Sequence, residues 1–291
     1  MDTPNDKWSK ARILWMHRWS PRLLSFRLSR EAGFRFVPGQ FARLGIIKEN
    51  GAPVWRAYSM ASATWDEHLE FYSIVVPDGA FTSRLEKMQV GDTLMIERQA
   101  IGFFTTNRFA DGRDLWMLGT GTGLAPYLAI LQDETTWQRF ERLILVHGAR
   151  SGEDLAYQAE IAALRSHPLW AEHGHKLSYQ GVTTRDTLAG ALHARLPELI
   201  SSGSLEAALD IPLSLEASRI MICGSPAMVQ DTHKALMARG FRLSRLAAPV
   251  PVELGALGLA GDEVVDLSVH GGLDKAVYLY PHEHYAFWQT V

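Results

Sequence analysis

A glycine turn, Gly119-Thr120-Gly121-Thr122-Gly123, constrains this chain more than any other feature. It leaves a short apolar run at residues 115–118 and leads straight into a helix-compatible stretch at residues 124–132. A strand that ends in glycines and turns directly into a helix exposes backbone N–H groups at the helix start, where a phosphate can approach closely. The three glycines are each two apart, so the spacing is not G-x-G-x-x-G, and no lysine follows as in a P-loop. The turn is either a phosphate cradle of another kind or a point of tight packing.

The rhythm after the turn repeats. Residues 143–148, 177–182 and 220–223 are further apolar strands, followed by helical patterns over 153–165, 191–201 and 226–238. Strands alternating with helices predict a parallel sheet with right-handed crossovers, and ligands at the carboxyl ends of its strands. Before residue 105 the pattern is different. Residues 11–16, 23–28, 41–46, 69–76 and 93–97 are short alternating runs separated by Pro38-Gly39, Glu49-Asn50-Gly51 and Pro77-Asp78-Gly79. They predict a small antiparallel barrel, with one short helix over 81–88. After Arg245 the character changes again. Ala247-Ala248-Pro249-Val250-Pro251 reads as a linker, and residues 247–291 carry one lysine and no arginine against Glu253, Asp262, Glu263, Asp266, Asp274 and Glu283. The boundaries drawn are therefore 1–105, 106–246 and 247–291.

Removing that acidic tail from the totals leaves 28 basic and 26 acidic residues, a net of about +2 and too little for a nucleic-acid partner. The single cysteine, Cys223, excludes an internal disulfide framework and a cysteine-ligated cluster. Residues 1–10 are polar, and no run approaches the ~18 apolar residues of a membrane span, so a cytoplasmic protein with no membrane association is expected.

Several residues could carry chemistry. Arg56-Ala57-Tyr58-Ser59 joins a phosphate-binding guanidinium, an aromatic face and a small hydroxyl at the end of a strand-like run. Ala80, Phe81, Thr82 and Ser83 open the short helix and offer amides and hydroxyls to a pyrophosphate. Tyr72 is either a strand aromatic or a platform for a ring system. Cys223-Gly224-Ser225-Pro226 ends a strand and begins a helix, so the thiol falls at the carboxyl edge of the sheet or is inert packing there. Arg150, Arg185 and Arg195 follow successive strands toward the same edge, where a 2′-phosphate would need guanidinium groups. Taken singly, each is an ordinary surface arginine.

In this order the residues resemble the ferredoxin/flavodoxin–NADP(+) reductase family in its bacterial form, over roughly residues 8–246. The matching pieces are Arg56-Ala-Tyr-Ser59, Leu69-Glu-Phe-Tyr-Ser73, Val76-Pro-Asp-Gly79, Gly102-Phe-Phe104, Gly119 through Tyr127, Val146-His-Gly-Ala-Arg150, Thr184-Arg185-Asp186 and Met221-Ile-Cys-Gly-Ser-Pro226. The resemblance implies a two-domain reductase with an FAD-binding β-barrel and an NADP-binding α/β domain. It implies FAD held by Arg56, Ala57, Tyr58, Ser59, Tyr72, Ala80, Phe81, Thr82, Ser83 and Thr122. It implies NADP(H) on Ala149, Arg150, Arg185, Arg195, Gly224 and Ser225, with Ser59 near flavin N5 and Cys223 near the nicotinamide as the catalytic pair. Ferredoxin or flavodoxin is the implied partner, and a monomer the implied state. Within the same fold the second reading is the reductase component of an oxygenase.

The match fades after Arg245. Residues 256–288 instead resemble part of a MOSC domain, through Gly258-Leu-Ala-Gly-Asp262, Asp266-Leu-Ser-Val-His-Gly-Gly272, Asp274-Lys-Ala-Val277 and Tyr280-Pro-His-Glu-His-Tyr285. The fragment has no cysteine to carry sulfur. His270, His282 and His284 have no third ligand fixed by spacing, so no metal site is expected. The tail is read as an appended fragment that is poorly ordered or docks weakly, and a third reading is a product whose altered C-terminus costs it its cofactor.

Overall fold

The computed structural model describes residues 7–109, 112–243, 275–280 and 286–289. The first sheet is built from β1 (Trp8–Ser20), β2 (Leu23–Ser29), β3 (Phe41–Ile47), β4 (Pro53–Ser59), β5 (His68–Ile74) and β6 (Thr93–Glu97), in the order β4-β3-β6-β1-β2-β5. All neighbours are antiparallel, and the Met60–Phe71 bridge brings the two ends of the order together. The expected barrel is present. Strand β1 alternates buried and exposed residues through its first half, which places Ala11 and Ile13 inside. They join Phe26, Leu44, Phe71 and Phe81 in a core where each fully buried large side chain contributes about 1.5–3 kcal/mol. Helix α1 (Thr82–Leu85) is shorter than the predicted 81–88 and plugs the barrel with Leu85.

The barrel and the next domain meet at Gly39. Its φ of +97° suits glycine, and a Cβ there would stand 1.7 Å from the Phe104 carbonyl oxygen. The Pro38-Gly39 turn therefore lies directly on the chain that leaves the barrel.

The second sheet contains β7 (Asp114–Thr120), β8 (Arg142–Ala149), β9 (Leu177–Thr183), β10 (Leu192–His193), β11 (Ser218–Gly224), β12 (Arg242–Leu243), β13 (Lys275–Tyr280) and β14 (Ala286–Gln289). Strands β10-β9-β8-β7-β11 are parallel in that order. Strand β13 then lies antiparallel on β11, with Cys223 opposite Ala276, and both β12 and β14 pair with β13. Strands β7, β8 and β11 are buried almost throughout, as apolar strands covered on both faces should be. The covering helices are α2 (Ala125–Leu131), α3 (Glu134–Arg139), α4 (Gln158–Leu164), α5 (Leu196–Ser202), α6 (Ser204–Leu209) and α7 (Pro226–Ala238). At the opposite end of the strands from the glycine turn, fully buried Asp114 accepts from Arg142 Nε and Nη2, each at 2.7 Å. That hydrogen-bonded pairing also raises the Arg142 pKa.

Three helical patterns are corrected. The segment 153–165 is a 3-10 turn at Gly152–Asp154, then a turn through Ala156 and Tyr157, then α4, because Tyr157 takes a left-handed backbone that breaks the helix. The segment 191–201 begins with β10, paired to Val182 and Thr183, and becomes helical only where Pro197 can occupy the first turn. The glycine turn itself winds into a 3-10 turn, Gly121–Leu124, ahead of α2. The histidines His270, His282 and His284 and most of the MOSC-like stretch lie outside the described residues; β13 and β14 are the parts of it that are described.

Candidate functional site

On the barrel, β4 carries Arg56, Ala57, Tyr58 and Ser59. Arg56 and Ser59 are half-buried, and Arg56 Nη1 donates to the Trp55 carbonyl at 2.8 Å. Ala57 and Tyr58 are each 7% exposed. The Tyr58 ring packs against Phe26, Phe71 and Phe81, its hydroxyl pairs with Ser73 Oγ at 2.9 Å, and burial pushes its pKa up to about 12. Tyr72, one strand away, is buried with its hydroxyl free of any hydrogen bond among the described residues, and burial raises its pKa.

At the short helix Ala80 is exposed and Phe81 belongs to the barrel core. Thr82 Oγ1 closes the turn by accepting from the Val76 amide at 3.0 Å, and Ser83 Oγ donates to the Gly79 carbonyl at 2.6 Å. Both hydroxyls therefore shape the turn.

On the second sheet the carboxyl ends converge. The glycine turn lies against the end of β11: a Cβ on Gly123 would stand 2.3 Å from the Cys223 carbonyl oxygen. Thr120 Oγ1 accepts from the Ser225 amide at 3.4 Å, and Ser225 Oγ caps α7 by accepting from the Met228 amide at 3.4 Å. Cys223, 4% exposed, sits at the strand end as the sequence suggests, but beneath the turn.

A cavity of about 410 Å³ opens where this edge faces the barrel. Thr120, Gly121, Thr122, Ala149, Arg150, Arg195 and Ser225 are on its wall. Arg185 is exposed and is not; its amide instead donates to the Arg150 carbonyl at 2.8 Å. Two of the three expected arginines thus share the cavity.

Three further wall residues lie outside any sequence motif. Arg22 and Leu23 arrive from the β1–β2 turn of the barrel, and Asp154 from the second domain. His147 lies behind the edge, fully buried, its Nδ1 3.4 Å from the Tyr179 hydroxyl. Burial pushes its pKa down to about 4, so the ring is neutral near pH 7. Tyr157 was likewise missed: it reaches from the second domain into the barrel, where its hydroxyl donates to Glu70 at 2.8 Å. His147 lies inside the Val146–Arg150 motif, but nothing local to Tyr157 distinguishes it, because its partner lies 87 residues away in the chain.

Residues 17–103 match the oxidoreductase FAD-binding domain family and residues 117–234 the oxidoreductase NAD-binding domain family. A ferredoxin–NADP reductase of Pseudomonas aeruginosa is 40% identical, over 82% of this chain and 93% of its own length. A flavodoxin/ferredoxin–NADP reductase of Rhodobacter capsulatus is 37% identical, over 78% of this chain and 84% of its own. Among solved structures, a ferredoxin–NADP+ reductase of Neisseria gonorrhoeae with bound FAD and NADP superposes with a TM-score of 0.78 at 38% identity, covering 84% of this chain and 96% of that one.

Proposed function

The chain belongs to the ferredoxin/flavodoxin–NADP reductase family, and from that premise we propose that it is an FAD-dependent enzyme exchanging electrons between NADPH and ferredoxin or flavodoxin. The observation that carries the reading is the cavity between the barrel and the carboxyl edge of the parallel sheet, with the glycine turn, Arg150 and Arg195 on one wall.

The residues present suit both cofactors. A Cβ on Gly121 would meet nothing within 4 Å, so the turn offers open backbone to a phosphate. Arg150 and Arg195 supply guanidinium groups to a 2′-phosphate, with Arg185 further out. On the barrel, Arg56 and Ser59 are half-buried on β4, so each side chain is partly exposed where a flavin nucleotide could meet it. The orphaned Tyr72 hydroxyl is a buried polar group still in need of a partner.

When bound, the two cofactors supply hydride exchange between nicotinamide C4 and flavin N5 and single-electron steps with the carrier. The protein's share is orientation. Arg56, Tyr58, Tyr72, the turn at Ala80 to Ser83 and Thr122 hold the flavin nucleotide. Ser59 would offer its hydroxyl to the flavin. Ala149, the three arginines, Gly224 and Ser225 would hold the coenzyme, with Cys223 toward its nicotinamide end. The same reading assigns residues 1–105 to FAD, 106–246 to NADPH and 247–291 to an appended MOSC-like piece, and takes the working form as a cytoplasmic monomer.

The test is a visible spectrum of the purified protein followed by anaerobic NADPH. Flavin bands near ~450 nm that bleach on addition are expected. A colourless protein that takes up no added FAD would overturn the reading.

A further inference from the structure

Nucleotides on two domains can react only while the domains keep one relation, and in a two-domain chain relative motion is the default unless the boundary is firmly packed. Tyr157 stands out at this boundary. It is 5% exposed, and its backbone is left-handed with φ at 62°, a conformation that a bulky residue keeps only under constraint. It immediately precedes α4, yet its side chain does not cap that helix.

The side chain crosses to the barrel instead. Its hydroxyl meets Ser25 Oγ and donates to Glu70 Oε1 at 2.8 Å. Ser25 Oγ accepts from Trp19 Nε1 at 2.8 Å. The protons therefore run one way, from Trp19 to Ser25 to Tyr157 to Glu70. The chain ends on a carboxylate only 7% exposed, whose other oxygen Arg27 Nε holds at 2.7 Å, with His68 Nε2 at 3.9 Å. Trp19 lies 4.4 Å from the Tyr157 ring, and Tyr72 meets it edge-on at 5.3 Å. A buried chain with its donors used in sequence polarises cooperatively and fixes one geometry.

Three residues earlier Asp154 receives the Ser20 hydroxyl at 2.8 Å and also lines the cavity. One short segment is thus both cavity wall and cross-domain bolt.

We propose that Tyr157 is a positioning residue whose hydroxyl, through Ser25 and Glu70, locks the coenzyme domain onto the barrel at the separation that hydride transfer requires. The inference rests on the two-cofactor reading above.

The test compares the full-length holoenzyme with Tyr157→Phe, which keeps the ring and removes the hydroxyl, with Glu70→Gln, and with the double variant. In anaerobic stopped flow, NADPH should reduce the bound flavin about tenfold or more slowly in Tyr157→Phe, since a misplacement of ~1 Å can cost ~10²-fold. Half-saturation by NADPH and FAD occupancy should stay within about twofold, because neither cofactor loses a direct contact. The double variant should be no slower than the slower single one. Hydrogen exchange should quicken over residues 20–25 and 152–158 and not over 115–120. An unchanged rate would overturn the proposal, as would a parallel fall of rate, NADPH affinity and FAD occupancy, which marks a merely structural role. If the unaltered protein holds FAD but is not reduced by NADPH, the proposed function falls; the exchange comparison then decides the lock by itself, and unchanged exchange overturns it.

Discussion

Replacing Gly123 with alanine tests a close backbone-to-backbone approach in the site. A Cβ there would stand 2.3 Å from the Cys223 carbonyl oxygen, 2.5 Å from its carbonyl carbon and 2.8 Å from the Gly224 nitrogen. A carbon–oxygen contact settles near ~3.3 Å, so the turn and the end of β11 must separate by about 1 Å. All three neighbours are backbone, so no side chain can rotate away. Overpacking of this kind costs about 1–3 kcal/mol of stability. The larger effect should be kinetic. The separation falls between Thr122 and Cys223, which the proposed function places beside flavin and nicotinamide, and ~1 Å there corresponds to as much as ~10²-fold in rate. The assay is single-turnover reduction of bound flavin by NADPH, alongside a thermal melt. Gly91→Ala, away from the cavity, is the control: its φ of +101° costs a side chain about 1 kcal/mol, but nothing lies within 4 Å to be displaced. A Gly123→Ala enzyme within about twofold of the unaltered rate, or no slower than Gly91→Ala, would refute the reasoning.

Arg150→Ala and Arg195→Ala, both on the cavity wall, should each raise the KM for NADPH about tenfold and leave that for NADH within about twofold, as a lost charge-assisted contact of about 1–3 kcal/mol implies. Arg185→Ala should raise it less, and equal effects from all three would contradict the cavity geometry. The buried imidazole of His147 gives an acid dependence: its pKa is pushed from 6.5 down to about 4, so in that interval the unfolded chain takes up a proton that the folded one refuses. Stability is therefore complete above about pH 6.5 and is lost as the pH falls toward 4, by about 3 kcal/mol. His147→Asn should flatten the melting temperature across that window, and an unchanged slope would show that His147 is not the source.

What the sequence disclosed was local. The glycine turn between β7 and α2, the Arg56 to Ser59 run on β4 and the change from alternating to continuously apolar strands each lie within one or two elements, and each is found where its pattern places it. What it hid depends on distant partners. Strand β10 is two residues long and exists through pairing with Val182 and Thr183, so its own sequence reads equally well as the start of a helix. Tyr157 sits in a stretch of helical composition, and its left-handed turn is explained by Ser25 and Glu70, 132 and 87 residues away. Tyr58 reads as a stacking face, and its packing against three phenylalanines is something no single motif contains. Long-range burial decides such positions, and periodicity does not record it.

The strand that carries Cys223 is an interior strand because Lys275–Tyr280 lies along its outer side. Without that segment, Ser218–Gly224 would present unpaired N–H and C=O groups beside an apolar Ile-Met-Ile-Cys run. An open edge of that kind recruits strands from other molecules. Lys275–Tyr280 therefore covers that edge, and shortening the chain at residue 246 should show itself first as concentration-dependent oligomers in light scattering, ahead of any loss of fold.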